Sequence, residues 1–179
     1  MWLPIKTVYM NELKVENRLK EMQLETFIPK RYAAPDLTPA EERIKYPLVP
    51  AVHNLLFVKK DYDKAWCLAL RKELEYPINF IKPNSSSNDY ATIEDEEMTK
   101  FMSFCNPLIC GTIYKTPEEI KLKAGELVRI KKGEFEGIVG KFVRYQKHHY
   151  IAIETLGLCA LLKIKFTEVE KVQNEGFCC

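Results

Sequence analysis

The sequence predicts an α+β protein of two modules: a first half in which helices alternate with strands, and a second half of short strands alone. Three observations carry this expectation. Apolar residues recur at helical spacing in three stretches of the first half, separated by short β-rich runs. Residues 106–122 then break every period with Pro107, Gly111 and Pro117. Beyond them several short strands fall within about 50 residues, a density that suggests a small barrel. A chain of 179 residues holds one ordinary domain or two small ones, because domains typically run about 100–150 residues with a floor near 50.

In chain order, residues 2–9 form a short apolar stretch suited to a strand. Asn11 caps a helix to about Met22, with Leu13, Leu19 and Met22 on one side. Residues 25–29 read as a second strand ending at Pro29. Residues 33–45 are polar, with Pro35 and Pro39, and read as a loop. Residues 46–50 lead into 54–58, whose Leu55-Leu56-Phe57-Val58 has the composition of a buried strand. Asp61 or Asp63 starts a second helix with Trp66, Leu70 and Leu74 on its apolar face, and 77–81 is a strand. After a Ser/Asn loop at 84–88, Asp95 caps a third helix carrying Met98, Phe101, Met102 and Cys105. The acidic run 94–97 sits at that helix's N-terminal end, where negative charge is favoured, and needs no metal to explain it. The domain expectation is residues 1–105, a linker at 106–122, and 123–179. In the last, strands fall at 126–131, 138–145, 150–155 and 160–166, and Leu162, Ile164 and Phe166 alternate with Lys163 and Lys165.

Composition narrows the function classes. Hydrophobic content of 46% with 29% charged residues is a globular balance. No apolar run approaches the ~20 residues of a spanning helix, and the N-terminal residues lack the layout of an export signal; a cytoplasmic protein without membrane contact is expected. Six cysteines without a CxxC pair fit reduced thiols. The adjacent Cys178 and Cys179 leave a redox or metal role open on a terminal tail. A net charge of +2 excludes a strongly basic nucleic-acid coat, although residues 121–147 carry more basic than acidic side chains. The three histidines, His53, His148 and His149, join no catalytic or phosphate-binding spacing, so neither an enzyme nor a metal or cofactor is expected. His148 and His149 fall in an expected turn at 146–149.

The sharpest local pattern is VRIKKGEFEGIVGKFVRY at 128–145. Its glycines supply positive φ in a turn and close strand approach. Phe135 at the tip is either a barrel plug or an exposed contact. This run resembles the KOW motif, and residues 123–172 resemble the C-terminal KOW domain of NusG-like transcription factors. The first half resembles their N-terminal domain in the correct order: Trp2 opening the first strand, the helix at 12–22, LETFIPKR, PLVPAVHNLLFV, YPINFI and IEDEEMTKF. The family has a Pro-Gly-aromatic step where this chain has Pro50-Ala51-Val52-His53-Asn54. With GKFVRYQKHHYIAIETLGL, that departure looks most like the UpxY-type antiterminators of Bacteroidetes capsular polysaccharide operons.

The resemblance implies a NusG-type N-terminal domain, an antiparallel sheet flanked by helices, joined to an SH3-like KOW barrel. It implies a monomeric elongation and antitermination factor that binds the RNA polymerase clamp helices and suppresses pausing and termination, in a polysaccharide biosynthesis operon. The matching docking residues are Trp2, Tyr46, Leu48, Val49, Pro50, Leu55 and Phe57, although burial statistics favour plain core for Leu55 and Phe57. A further protein partner would meet Gly133, Phe135, Gly137 and Leu156 on the KOW domain. The rival readings are a housekeeping NusG-like factor, and an RNA-binding or ribosome-associated KOW protein. The latter would use Arg129, Lys131, Lys132, Lys141, Arg144 and Lys147, for which a solvated strand face is the commoner explanation.

Overall fold

The computed structural model describes residues 1–35, 38–107, 112–115, 126–133, 135–155 and 158–172. The chain divides into two units, Met1–Cys110 and Gly111–Cys179. The first is built on a four-stranded antiparallel sheet in the order β2-β5-β1-β6: β1 is Trp2–Thr7, β2 Thr26–Phe27, β5 Leu55–Lys59 and β6 Ile78–Phe80. A separate two-stranded ladder pairs β3 (Lys30–Tyr32) with β4 (Leu48–Pro50). The helices are α1 (Glu12–Glu21), α2 (Ala40–Arg43), α3 (Lys64–Glu73) and α4 (Asp95–Phe104). No described helix is long and apolar enough to cross a membrane.

Both faces of this sheet are covered. Leu3 and Ile5 of β1 and Leu56 and Val58 of β5 pack with Val15 and Leu19 of α1 and with Cys67 and Leu70 of α3. On the opposite face Phe57 meets Phe101 of α4 at 5.8 Å between ring centres and Phe27 at 6.2 Å. A strand buried on both sides has to be apolar at every position, which accounts for the unbroken Leu-Leu-Phe-Val run.

At the helix ends one of the two starts expected for α3 is realised, and the caps expected of α4 and α1 are not. Asp63, not Asp61, caps α3, accepting from the amides of Ala65 and Trp66 at 2.8 and 3.2 Å. Asp95 is the first residue inside α4, whose Met98 amide donates to the Glu94 carbonyl. Asn11 precedes α1 without a side-chain capping bond. That helix ends at Gln23 in the left-handed region (φ 60°), with the Leu24 amide reaching the Leu19 carbonyl, a Schellman ending without glycine. The buried face of α1 is Glu12, Val15, Glu16 and Leu19, while Leu13 is exposed. The expected apolar side was misplaced because two glutamates take core-facing positions. Glu16 is compensated there by Lys20 at 2.9 Å and Lys30 at 3.0 Å.

The second unit is one six-stranded antiparallel sheet in the order β12-β8-β9-β10-β11-β7. Here β7 is Ile113–Lys115, β8 Leu127–Ile130, β9 Val139–Tyr145, β10 His148–Thr155, β11 Leu158–Lys163 and β12 Val169–Lys171. Ile113–Lys115 therefore sits within the segment expected as linker, yet pairs with β11 through Ile113↔Leu161. Among the described residues no ladder joins β12 to β7. The turn expected at 146–149 is only Gln146-Lys147, both at positive φ (47° and 68°), as a two-residue hairpin matched to strand twist requires. His148 and His149 consequently belong to β10, opposite Tyr145 and Arg144. The last expected strand also shifts: β11 ends at Lys163, and Phe166–Glu168 forms a 3-10 turn before β12. Residues 150–153 and 159–162 are buried in succession, so β10 and β11 are covered on both faces and do not show one-sided alternation.

Candidate functional site

The β3–β4 ladder pairs Lys30 with Pro50, Arg31 with Val49 and Tyr32 with Leu48. It is continued by bonds from Ala33 to the Pro47 carbonyl and from Ala51 to the Pro29 carbonyl. Two strands of three residues cannot bury both faces. Leu48 keeps 44% of its surface in solvent, and Tyr46 and Ile44 just before it are also exposed. Val49 and Pro50 are half-buried. The other residues expected at the docking surface lie elsewhere. Trp2, Leu55 and Phe57 are core, with Phe57 at 1% exposure. Of the seven, the structure thus leaves Tyr46 and Leu48 open, Val49 and Pro50 partly open, and three closed. Ile44 escaped notice in the sequence; its only signal is one apolar residue inside the charged run EERIK.

A second exposed apolar segment was not expected. Tyr9 (89% exposed) and Met10 follow β1 and lie consecutively in the left-handed region, at φ 56° and 55°. For side chains with a Cβ that conformation costs about 1–2 kcal/mol each, so neighbours have to hold it. Asn54, itself at φ 61°, does so. Its side-chain oxygen accepts from the Met10 amide at 3.0 Å, and its carbonyl accepts from the Thr7 amide at 3.1 Å. The Asn54 amide donates to the carboxylate of Glu12, which is only 1% exposed. His53 Nδ1 lies 3.9 Å from the same carboxylate. Asn54 ends the segment that runs from β4 to β5, so one residue ties the corner after β1 to the chain leaving the hairpin.

In the second unit the β8–β9 connection closes through Gly137 donating to the Ile130 carbonyl at 2.9 Å and Ile138 to the Phe135 carbonyl at 3.1 Å. Gly133 and Gly137 take φ 95° and 86°, which explains glycine at both positions. Phe135 is half-buried, intermediate between the barrel plug and the exposed contact expected of it. Leu156 lies outside the described residues. The basic candidates do not converge. Lys141 is paired with Glu154 at 2.9 Å, and Arg129 stands opposite Glu170. Arg144 falls on the other face by strand alternation, beside His149, whose ring stacks on Phe142 at 5.2 Å. Lys131 and Lys132 sit at one end of β9 and Lys147 at the other, about 20 Å apart at ~3.3 Å per residue.

Nothing among the described residues gathers three or more His, Cys, Asp or Glu side chains as a metal site. Cys67, Cys105 and Cys159 are buried. Burial pushes the Cys67 thiol up to about 11, with the Asp63 charge adding to it, which makes it inert rather than nucleophilic.

Comparison with known proteins agrees with this architecture. No curated protein matches the chain. The structure is similar to that of Thermotoga maritima NusG, solved for its domain interaction, at 17% identity and a TM-score of 0.50, over 96% of this chain and 97% of that one. Similarity to a chain of the MjSpt4:Spt5 complex also extends over 96% of this chain and 98% of that one, at 17% identity. Its TM-score of 0.30 is too low to identify a shared fold. The sequence model of the family described as transcription termination factor nusG matches residues 1–102, more than half of the chain. The chain belongs to the NusG family of transcription factors.

Proposed function

We propose that this protein is a monomeric, cytoplasmic elongation and antitermination factor that docks on the clamp helices of RNA polymerase through the β3–β4 hairpin. The observation that carries the reading is the exposed run Ile44, Tyr46 and Leu48 beside half-buried Val49 and Pro50, on a ladder of its own. Apolar side chains left in solvent on and just before a short hairpin suit an anchor that buries on contact. Trp2, Leu55 and Phe57, the other residues that the resemblance assigns to docking, are buried and are read as core of the domain and not as contact residues. Binding that prefers the closed clamp lowers the population of the opened, paused polymerase, and the shift is limited by the difference in affinity for the two states.

The second unit is read as a KOW domain of SH3-like barrel type that recruits another protein through the Gly133–Gly137 turn, Phe135 and Leu156. The linker expected at 106–122 is not all tether, since β7 within it is a strand of this unit's own sheet. The family's specialised branch, serving a polysaccharide operon as UpxY-type factors do, is preferred on the Pro50–Asn54 departure; a place at the head of a glycosyltransferase cluster supports it, and a solitary place beside translation and secretion genes assigns the housekeeping role.

The test is co-migration with elongation complexes together with readthrough of terminators. Wild-type protein is expected to co-migrate and raise readthrough. Val49→Asp is expected to lose both while the second unit keeps its fold. Retention of polymerase by that variant removes the docking assignment.

A further inference from the structure

The corner after β1 holds three consecutive peculiarities that the docking reading leaves unused: two exposed side chains on left-handed backbone, an asparagine bonded to both sides of them, and a buried carboxylate behind the asparagine. We propose that Glu12 is a positioning residue that, through Asn54, locks the Tyr9–Met10 corner and the segment leaving the β3–β4 hairpin into one preformed surface for the polymerase. This rests on the docking reading above and extends the surface to Tyr9 and Met10.

The chain of bonds runs one way. Glu12 accepts from the Asn54 amide. Asn54 accepts from Met10 through its side chain and from Thr7 through its carbonyl. A carboxylate 1% exposed on the buried face of a helix is retained against its desolvation cost. Unlike Glu16, which meets two lysines, Glu12 has its contacts at the 53–54 turn. Its placement therefore serves that turn. Strained backbone that neighbours over-determine is characteristic of sites that must be preformed, and preforming a contact surface removes the ordering cost of binding.

The experiment compares the full-length protein with Asn54→Gly, Glu12→Ala and Glu12→Gln, reading hydrogen exchange at the Met10 amide and affinity for core RNA polymerase. Glycine accepts φ 61° without strain, so Asn54→Gly removes only the acceptor for Met10. It is expected to speed Met10 exchange and weaken polymerase binding, each up to about tenfold, the scale of one lost hydrogen bond. Glu12→Ala is expected to do the same. Glu12→Gln keeps an acceptor for the Asn54 amide and is expected to stay within about threefold of wild type on both readouts. Unchanged Met10 exchange or unchanged affinity in Asn54→Gly overturns the proposal, as does a loss in Glu12→Gln equal to that in Glu12→Ala. Should Glu12→Ala fail to fold, Asn54→Gly decides alone. Val49→Asp, run alongside, separates the two readings: wild-type affinity in that variant removes the hairpin as the docking site, while weakened Asn54→Gly still upholds the lock.

Discussion

Leu48→Asp and Phe57→Ala separate a docking residue from a core residue, because the two were expected to share one surface and the structure divides them. Leu48 retains 44% of its surface in solvent. Completing its burial is worth about 1 kcal/mol of the ~1.5–3 kcal/mol for a whole leucine. Placing an unpaired carboxylate at an apolar contact adds a penalty of several kcal/mol, so Leu48→Asp is expected to raise the Kd for polymerase at least about a hundredfold. Its cost to folding is about 1–2 kcal/mol, since a little over half of the leucine's burial is lost. Phe57 is 1% exposed and touches the rings of Phe27 and Phe101. Phe57→Ala is expected to cost about 3–5 kcal/mol of stability, with the folded fraction still binding polymerase near wild-type affinity. Stability is read by urea denaturation followed by tryptophan fluorescence. Trp2 and Trp66, the two tryptophans, both lie in the first unit, so the signal reports that unit alone. Affinity is read on core polymerase at low temperature. A Kd for Leu48→Asp within threefold of wild type refutes the reasoning, and so does a folded Phe57→Ala that binds as poorly as Leu48→Asp.

Two further outcomes follow from the geometry. A Cβ added at Gly140 would lie 2.5 Å from Ile151 Cγ2 and 2.9 Å from the Ala152 carbonyl oxygen, whereas one at Gly137 meets no atom within 4 Å and only the φ of 86° opposes it. Gly140→Ala is therefore expected to destabilise the second unit by about 2–3 kcal/mol and Gly137→Ala by about 1 kcal/mol, read by exchange of the β9–β10 amides; equal losses contradict the steric account. The Cys67 thiol titrates from 9.0 when unperturbed and from about 11 in the fold, raised by burial and then by Asp63. Below the lower value both states hold the proton and its contribution to stability is complete. Between the two the unfolded chain alone releases the proton, so stability falls as pH rises from 9 to 11. Native-state alkylation of Cys67 at pH 8 should be slower than that of a free thiol, and equal rates would contradict its burial.

The three long helices and the central strand of the first half were legible because they rest on local signals, three apolar periods and the Leu55–Val58 run, whereas the short α2 inside the expected loop 33–45 and the strand β3 were not. The signals failed where a tertiary contact outweighed local pattern. Glu12 and Glu16 occupy core-facing turns of α1 because Asn54, Lys20 and Lys30 compensate them, and those partners include residues 14 and 42 positions away. Leu13, apolar and correctly spaced, is left in solvent as a result. Ile113–Lys115 carries no strand period, yet β11 offers it a free edge to pair with. His148 and His149 looked like turn residues by polarity, and the two-residue Gln146-Lys147 hairpin drew them into β10.

The candidate site divides in the same way. Sequence alone pointed to the family and to the three long helices and central strands of the first half, and it proposed the stretch 46–57 as the place to look, because those readings depend on residue type along the chain. Only the tertiary structure decided which side chains in that stretch face solvent, and that Asn54 ties a distant strained corner to it. Exposure and long-range hydrogen bonding depend on what packs against each residue, and neither is written in its neighbours along the sequence.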